Sequence, residues 1–188
     1  MKMGPEDIKK YPDCAKLLHH LRSQVTRKVL DAFFQACQAD YLNGAHPDHV
    51  DHVTRTTLLW GAPPLVDVHA GELRVPVRGT IVPACGFTDS FPGHAPYIII
   101  THVWFDAYQN CGETDRAKNA TRLIRTLLHE MVHWVRDAVG AEEDITSGGY
   151  KGTPEEAGHY FEMQAYGARN VCTEDDIKDA IGSMRPPV

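Results

Sequence analysis

The chain has 188 residues, of which 43% are hydrophobic and 23% charged; this indicates one globular domain and excludes a disordered tail. The formal net charge is −6 and lysine and arginine are scattered, so we expect neither a nucleic-acid partner nor an anionic membrane surface. The longest apolar stretches, such as 97–100, are far shorter than the roughly 20 residues that cross a bilayer. No membrane span is expected.

The first residues, MKMGPEDIKKYPDC, contain no apolar segment typical of a secretory signal peptide. We therefore expect synthesis in the cytoplasm and export, if any, by another route. The cysteines form no CxxC pair, which disfavours a cysteine zinc site, and buried free thiols are expected more than disulfide bonds. They are Cys14, Cys37, Cys85, Cys111 and Cys172.

Apolar periodicity predicts helices first and a small sheet second. From Asp13 to about Asp40 the spacing is helical, and residues 13–60 are assigned to N-terminal helices. After Gly61 the period changes to two, which predicts a hairpin over 65–77 with Pro76 at an edge. The β-branched and aromatic run Tyr97–Phe105 predicts a further strand. Residues 64–105 should therefore form a small antiparallel or mixed sheet.

The strongest helical pattern covers 114–139, and Gly140 stands where a left-handed glycine would end the helix. Within it lies His129-Glu130-Met131-Val132-His133, the HExxH pattern. Residues four apart are separated by about 6 Å along a helix axis, so both imidazoles can bind one zinc ion. Glu130 is not a ligand in this pattern; it is placed to take a proton from the water that attacks a carbonyl.

A catalytic zinc site needs a third protein ligand and an open position for water. A helix predicted over 153–167 supplies candidates, with Thr153 as its N-cap and Glu156 in a capping box. Glu162 ranks first as the ligand, because small residues on its face permit a close approach to the HExxH helix. Glu156 is the alternative, and Glu155 or His159 remain open.

Two further residues of this helix are assigned roles near the metal. His159 and Tyr166 are candidates to contact the developing oxyanion or to orient a ligand, although both also suit packing. Beyond it, residues 173–188 are assigned to a C-terminal helix and tail.

The segments LLHEMVHWVRD and EAGHYFEMQAYG together resemble the metallopeptidase toxin domains of type VI secretion spike proteins (VgrG type) and Rhs polymorphic toxins. The resemblance covers residues 121–167. It implies a gluzincin-like enzyme with one zinc ion, bound by His129, His133 and a glutamate of the second segment, with Glu130 as the catalytic base. It also implies an antibacterial effector that a contact-dependent system delivers to the target-cell periplasm and that an immunity protein neutralises.

These observations predict an α+β fold: a zincin-like metallopeptidase, mostly helical, with a small sheet and an HExxH helix. The substrate is expected to be a peptide or the peptide of peptidoglycan, lying along an edge strand that Tyr97–Phe105 could provide. The alternative is a non-catalytic module in which a closed zinc site stabilises a binding or structural protein. A hydrolase built from Cys85 and His94 is a distant third interpretation, since no local signature supports it.

Overall fold

The computed structural model describes residues 1–39, 46–77, 80–89, 97–141, 144–145, 155–169 and 173–184. The helices are α1 (Pro5–Lys10), α2 (Pro12–His19), α3 (Leu21–Gln24), α4 (Arg27–Gln38), α5 (Pro47–Thr57), α6 (His102–Asn110), α7 (Glu113–Ala138), α8 (Ala157–Tyr166) and α9 (Glu174–Gly182). The strands are β1 (Lys2–Met3), β2 (Leu65–His69), β3 (Arg74–Val77), β4 (Thr80–Pro83), β5 (Gly86–Asp89), β6 (Tyr97–Thr101), β7 (Asp144–Ile145) and β8 (Glu155–Glu156). Helices and small sheets are mixed, which agrees with the α+β prediction.

The main sheet has the strand order β1-β2-β6-β5. Its first three strands are parallel, and β5 runs antiparallel to β6, with Phe87 opposite Ile99. Two short antiparallel pairs, β3 with β4 and β7 with β8, lie outside this sheet. Because β6 lies between β2 and β5, it cannot offer a free edge. Among the described residues the edge strands of this sheet are β1 and β5.

Two sequence predictions for this region are wrong. The expected hairpin over 65–77 does not form, because β2 pairs with β1 and β6 and the chain turns at Gly71, whose φ is +113°, into a separate β3–β4 hairpin. The strand predicted over Tyr97–Phe105 ends at Thr101, and helix α6 begins at His102. Buried aromatic residues favour strands and helices alike, but the helical spacing continues beyond 105 through Ala107 and Tyr108.

Helix α7 is the central element of the core. It contacts α4, α5, α6, α8, β5 and β6, and its completely buried side chains include Leu127, Leu128 and Met131. Gly140, with a φ of +69°, follows the helix as predicted. Helix α4 packs on α8 through an edge-to-face contact between Phe33 and Phe161, whose ring centroids are 6.2 Å apart. Since α7 is enclosed by this core, its backbone is a rigid base for polar side chains.

Three of the cysteines, Cys14, Cys37 and Cys111, are free and buried as expected. Cys85 is disulfide-bonded, so the expectation of a free thiol is wrong at this position, and a Cys85 nucleophile is excluded in this form of the protein. Cys172 and His94 lie outside the described residues. None of the described helices has both the length and the apolar character needed to cross a bilayer.

Candidate metal centre

Helix α7 presents His129 and His133 on one face. Their Nε2 atoms are 3.4 Å apart, because residues four apart project from the same side of a helix one turn apart. The neighbouring buried leucines hold this stretch of the helix in the core. The two imidazoles are only partly exposed, so both can serve one ligand at the protein surface.

Glu156 joins this pair from the start of α8. Its carboxylate accepts hydrogen bonds from the backbone N–H groups of Gly158 and His159, so it is the N-cap of the helix. Its Oε1 lies 2.5 Å from Nε2 of His133, and its Oε2 lies 3.7 Å from Nε2 of His129. The ligand atoms of the three residues lie within 4.8 Å of one another, and among the described residues no other such group of three is found.

Strand β8 explains why Glu156 reaches the histidines. It pairs with β7, with Asp144 opposite Glu156, and the buried carboxylate of Glu155 binds Arg169 at 2.8 Å. The helix predicted over 153–167 therefore begins later than expected, at Ala157, and the predicted capping-box position of Glu156 is wrong. Thr153, the predicted N-cap, lies outside the described residues. Glu156 occupies the N-cap position itself.

Glu162 approaches His129 from the other side of the ring. Its Oε1 lies 3.3 Å from Nδ1 of His129, its Oε2 lies 3.5 Å from Nη2 of Arg125, and its side chain is only 1% exposed. The sequence ranked Glu162 first as the metal ligand, yet here Glu156 and Glu162 contact different nitrogen atoms of His129. The carboxylate that converges with both Nε2 atoms is that of Glu156.

The predicted close approach of α8 to α7 is confirmed at Gly158. A Cβ atom at this position would lie 2.5 Å from Nε2 of His129, so only glycine lets the two helices meet here. The ring of His159 lies beside that of His129, with centroids 5.4 Å apart, and its Nδ1 is 3.0 Å from Oε2 of Glu156. Tyr166 packs on Phe161, with ring centroids 6.0 Å apart.

Glu130 is 7% exposed and is held by strand β5. The hydroxyl group of Thr88 lies 3.0 Å from its Oε2, and a Cβ atom at Gly86 would lie 2.7 Å from its Cγ. Gly86 and Thr88 are two residues apart and so face the same side of the strand. Sequence reasoning missed both residues, because nothing in the local pattern connects β5 with α7. It also missed Arg125 of α7, whose contact with Glu162 depends on the packing of α7 against α8.

The charges of the cluster shift the pKa values of its members. Burial opposes the charged form of His129, but the hydrogen bond with Glu162 and the nearby carboxylates outweigh burial and raise the pKa of the imidazole to about 9. Burial also opposes the charged form of Glu156, yet the hydrogen bond with His133 and the surrounding imidazoles hold the pKa of the carboxyl well below its usual range. Burial lowers the pKa of His159 despite the attraction of Glu156. The carboxylates around His129 thus favour a positive charge between the two α7 histidines and Glu156.

A divalent metal ion fits this donor set. Two imidazole nitrogens and a carboxylate oxygen are ligands that zinc prefers, and two nitrogens that share a tetrahedral ion at roughly 2.0–2.1 Å lie about 3.4 Å apart. The separation of the two Nε2 atoms is 3.4 Å. The three residues therefore define a candidate metal site of the kind found in metal-dependent hydrolases, with the buried Glu130 next to His129.

The comparison with protein families agrees with this class. The chain belongs to the metallopeptidase toxin 3 family, whose sequence model matches residues 7–167. The match confirms the resemblance to metallopeptidase toxin domains and extends it to residues 7–120, which precede the segments that carry the resemblance. Family membership indicates a peptidase with a toxic role. A search of curated proteins and a search of solved structures each found no significant match.

Proposed function

We propose that the protein is a zinc peptidase toxin in which His129, His133 and Glu156 hold one ion and Glu130 is the catalytic base. The observation that carries the proposal is the convergence of these three ligand-bearing side chains within 4.8 Å. Three protein ligands suit a catalytic zinc site, which keeps one position for water. The family membership supports the peptidase activity.

When bound, a zinc ion would polarise the scissile carbonyl and lower the pKa of a coordinated water. Glu130 accepts a proton from the attacking water and returns it to the leaving amine. Its burial and its contact with Thr88 keep the carboxylate in one position, so little reorganisation is needed when the proton moves.

Two geometric facts favour Glu156 over Glu162 as the third ligand. Glu156 meets the Nε2 atoms of both histidines, whereas Glu162 meets Nδ1 of His129 alone. A carboxylate on the second ring nitrogen of a metal-binding histidine commonly fixes its tautomer and orientation. We therefore assign this orienting role to Glu162.

We assign contact with the substrate to His159 and strand β5. The side chain of His159 is 37% exposed beside the ligands, and its Nδ1 engages Glu156, so its Nε2 is the nitrogen assigned to the developing oxyanion. Strand β5 lies at the sheet edge next to Glu130, where an extended peptide can add as a further strand. A peptide or the peptide of peptidoglycan fits this interpretation.

The toxic role leads to a proposal about where the protein acts. The family membership supports toxicity, and the resemblance to type VI secretion spike and Rhs domains supports delivery between cells. We infer that the target lies in the periplasm of a neighbouring bacterium and that an immunity protein protects the producer. Expression with and without a periplasmic signal, each with a Glu130→Gln control, tests this; equal growth of all four strains contradicts it.

The enzymatic proposal is tested on the purified chain with zinc and an unfolded protein substrate. We expect one bound ion per chain and cleavage by the wild type, and roughly 10²–10⁴-fold slower cleavage by Glu130→Gln with zinc still bound, because a general base contributes about that much. A wild type that binds no zinc, or a Glu130→Gln variant as active as the wild type, contradicts the proposal. A zinc-bound wild type without cleavage indicates the structural module instead.

A further inference from the structure

Arg125 lies one turn before His129 on α7 and contacts the carboxylate that orients this histidine. We propose that Arg125 is a positioning residue, which holds Glu162 against Nδ1 of His129 and thereby sets the affinity of the site for its metal. The inference rests on the metal site of the proposed function. It concerns a residue that neither binds the ion nor touches the reacting atoms.

Glu162 bridges Arg125 and His129 with its two oxygen atoms. Oε1 lies 3.3 Å from Nδ1 of His129, and Oε2 lies 3.5 Å from Nη2 of Arg125. The carboxylate is 1% exposed, and a buried charge is costly unless other charges or hydrogen bonds compensate for it. The guanidinium therefore compensates for the burial of this carboxylate and holds it in its rotamer.

Arg125 is itself fixed by the end of α8. Its Nη2 donates to the backbone carbonyl oxygen of Ala168, and its guanidinium lies 4.8 Å from the ring centroid of Tyr166. Gly167 ends the helix in the left-handed conformation, with a φ of +76°, and so directs the chain to this contact. One arginine thus ties the end of α8 to the carboxylate in its middle.

The consequence for the metal site follows from the two nitrogens of His129. When Nδ1–H donates to Glu162, the lone pair of Nε2 points at Glu156 and His133, which is the tautomer that binds a metal. Without Arg125, the buried carboxylate loses a compensating charge and its defined position. Removing such orienting partners costs about 10–100-fold in metal affinity.

Arg122, one turn earlier on the same helix, is a matched control. The side chains of Arg122 and Arg125 are both 16% exposed, and both guanidinium groups lie over an aromatic ring. Arg122 binds Asp179 of α9 at 2.6 Å. Its partner is therefore on a different helix from Glu162, which belongs to α8. Loss of Arg122 affects packing between α7 and α9 without affecting Glu162.

The test measures zinc affinity of the full chain by competition with a chromophoric chelator. We expect Arg125→Gln to bind zinc about 10-fold more weakly than the wild type, with a changed absorption spectrum of the cobalt-substituted protein, and Arg122→Gln to match the wild type in both. An Arg125→Gln affinity within twofold of the wild type, or an equal loss in Arg122→Gln, overturns the inference. A wild type that binds no zinc instead contradicts the metal site itself.

A double variant tests whether Arg125 acts through Glu162. In the Glu162→Gln background, which carries no buried charge at this position, Arg125→Gln should have no further effect on zinc affinity. This comparison also decides the matter if Arg125→Gln alone does not fold, because the double variant leaves no unpaired buried carboxylate. A further loss of affinity in the double variant overturns the inference.

Discussion

The hydroxyl group of Thr88 lies 3.0 Å from Oε2 of Glu130 and 2.9 Å from the backbone carbonyl oxygen of the same residue. The single proton of this hydroxyl group is shared between these two acceptors, so strand β5 holds the proposed catalytic base close to its own backbone. We predict that Thr88→Val, which keeps the shape and removes the donor, lowers kcat about 10-fold, since a hydrogen bond to a charged group contributes about 1.5–3 kcal/mol.

The control for this prediction is Thr88→Ser, which retains the hydroxyl group and should recover most of the activity. Zinc content should be unchanged in both variants, because the hydrogen bonds of the Thr88 side chain go to Glu130, which is not one of the proposed metal ligands. Steady-state kinetics with metal analysis give the answer. If valine and serine lower kcat equally, the hydroxyl group does not position Glu130.

Gly86 allows the close approach of strand β5 to Glu130. A Cβ atom there would lie 2.7 Å from Cγ of Glu130 and 3.0 Å from Cδ1 of Ile100. Gly86→Ala should therefore displace the Glu130 side chain and reduce kcat more than Thr88→Val does, with zinc still bound. Gly182→Ala is the control, because a Cβ atom at Gly182 has no neighbour within 4 Å. Equal activity of the two alanine variants contradicts this prediction.

The helix of the metal site was predictable because its signals are local. The apolar stripe of α7, the spacing of His129 and His133 and the terminal Gly140 all lie within one element. Helix α6 was not predicted, because the strand-favouring residues of β6 run directly into it and the prediction extends the strand to Phe105. Short buried segments leave strand and helix ambiguous when the pattern is read from too few residues.

The roles of the two glutamates were not predictable in the same way. Whether Glu156 or Glu162 meets the Nε2 atoms depends on where α8 begins, and the β7–β8 pair places Glu156 at the N-cap. Contacts of Thr88 and Arg125 with the site join residues far apart in the chain. Such pairs follow from packing of elements, and a single sequence carries no periodic signal for them.

Arg136 stabilises the contact between α7 and α4. The side chain is 1% exposed, and its Nη1 donates to the carbonyl oxygens of Ala36 at 3.2 Å and Ala39 at 2.7 Å, at the end of α4. A cation at a helix C-terminus also interacts favourably with the helix dipole. We predict that Arg136→Met lowers the free energy of unfolding by about 2–3 kcal/mol.

Urea denaturation of the metal-free protein measures this effect. Arg27→Met is the control, since Arg27 is an exposed residue of α4 paired with Asp31, and surface substitutions of this kind change stability by about 0.5 kcal/mol or less. A loss in Arg136→Met no larger than in Arg27→Met contradicts the stabilising role.

A comparison of Glu156→Gln with Glu162→Gln decides the third ligand. Glutamine keeps an oxygen acceptor for the backbone N–H groups at Glu156 and for Nδ1–H at Glu162, so the local hydrogen bonds can persist in both variants. We predict that Glu162→Gln weakens zinc binding by roughly 10–100-fold and that Glu156→Gln weakens it further and alters the cobalt spectrum. Since a ligand that binds only the folded state raises its stability, zinc should also raise the melting temperature of Glu162→Gln more than that of Glu156→Gln. The reverse order in both measurements would make Glu162 the ligand and Glu156 its orienting partner.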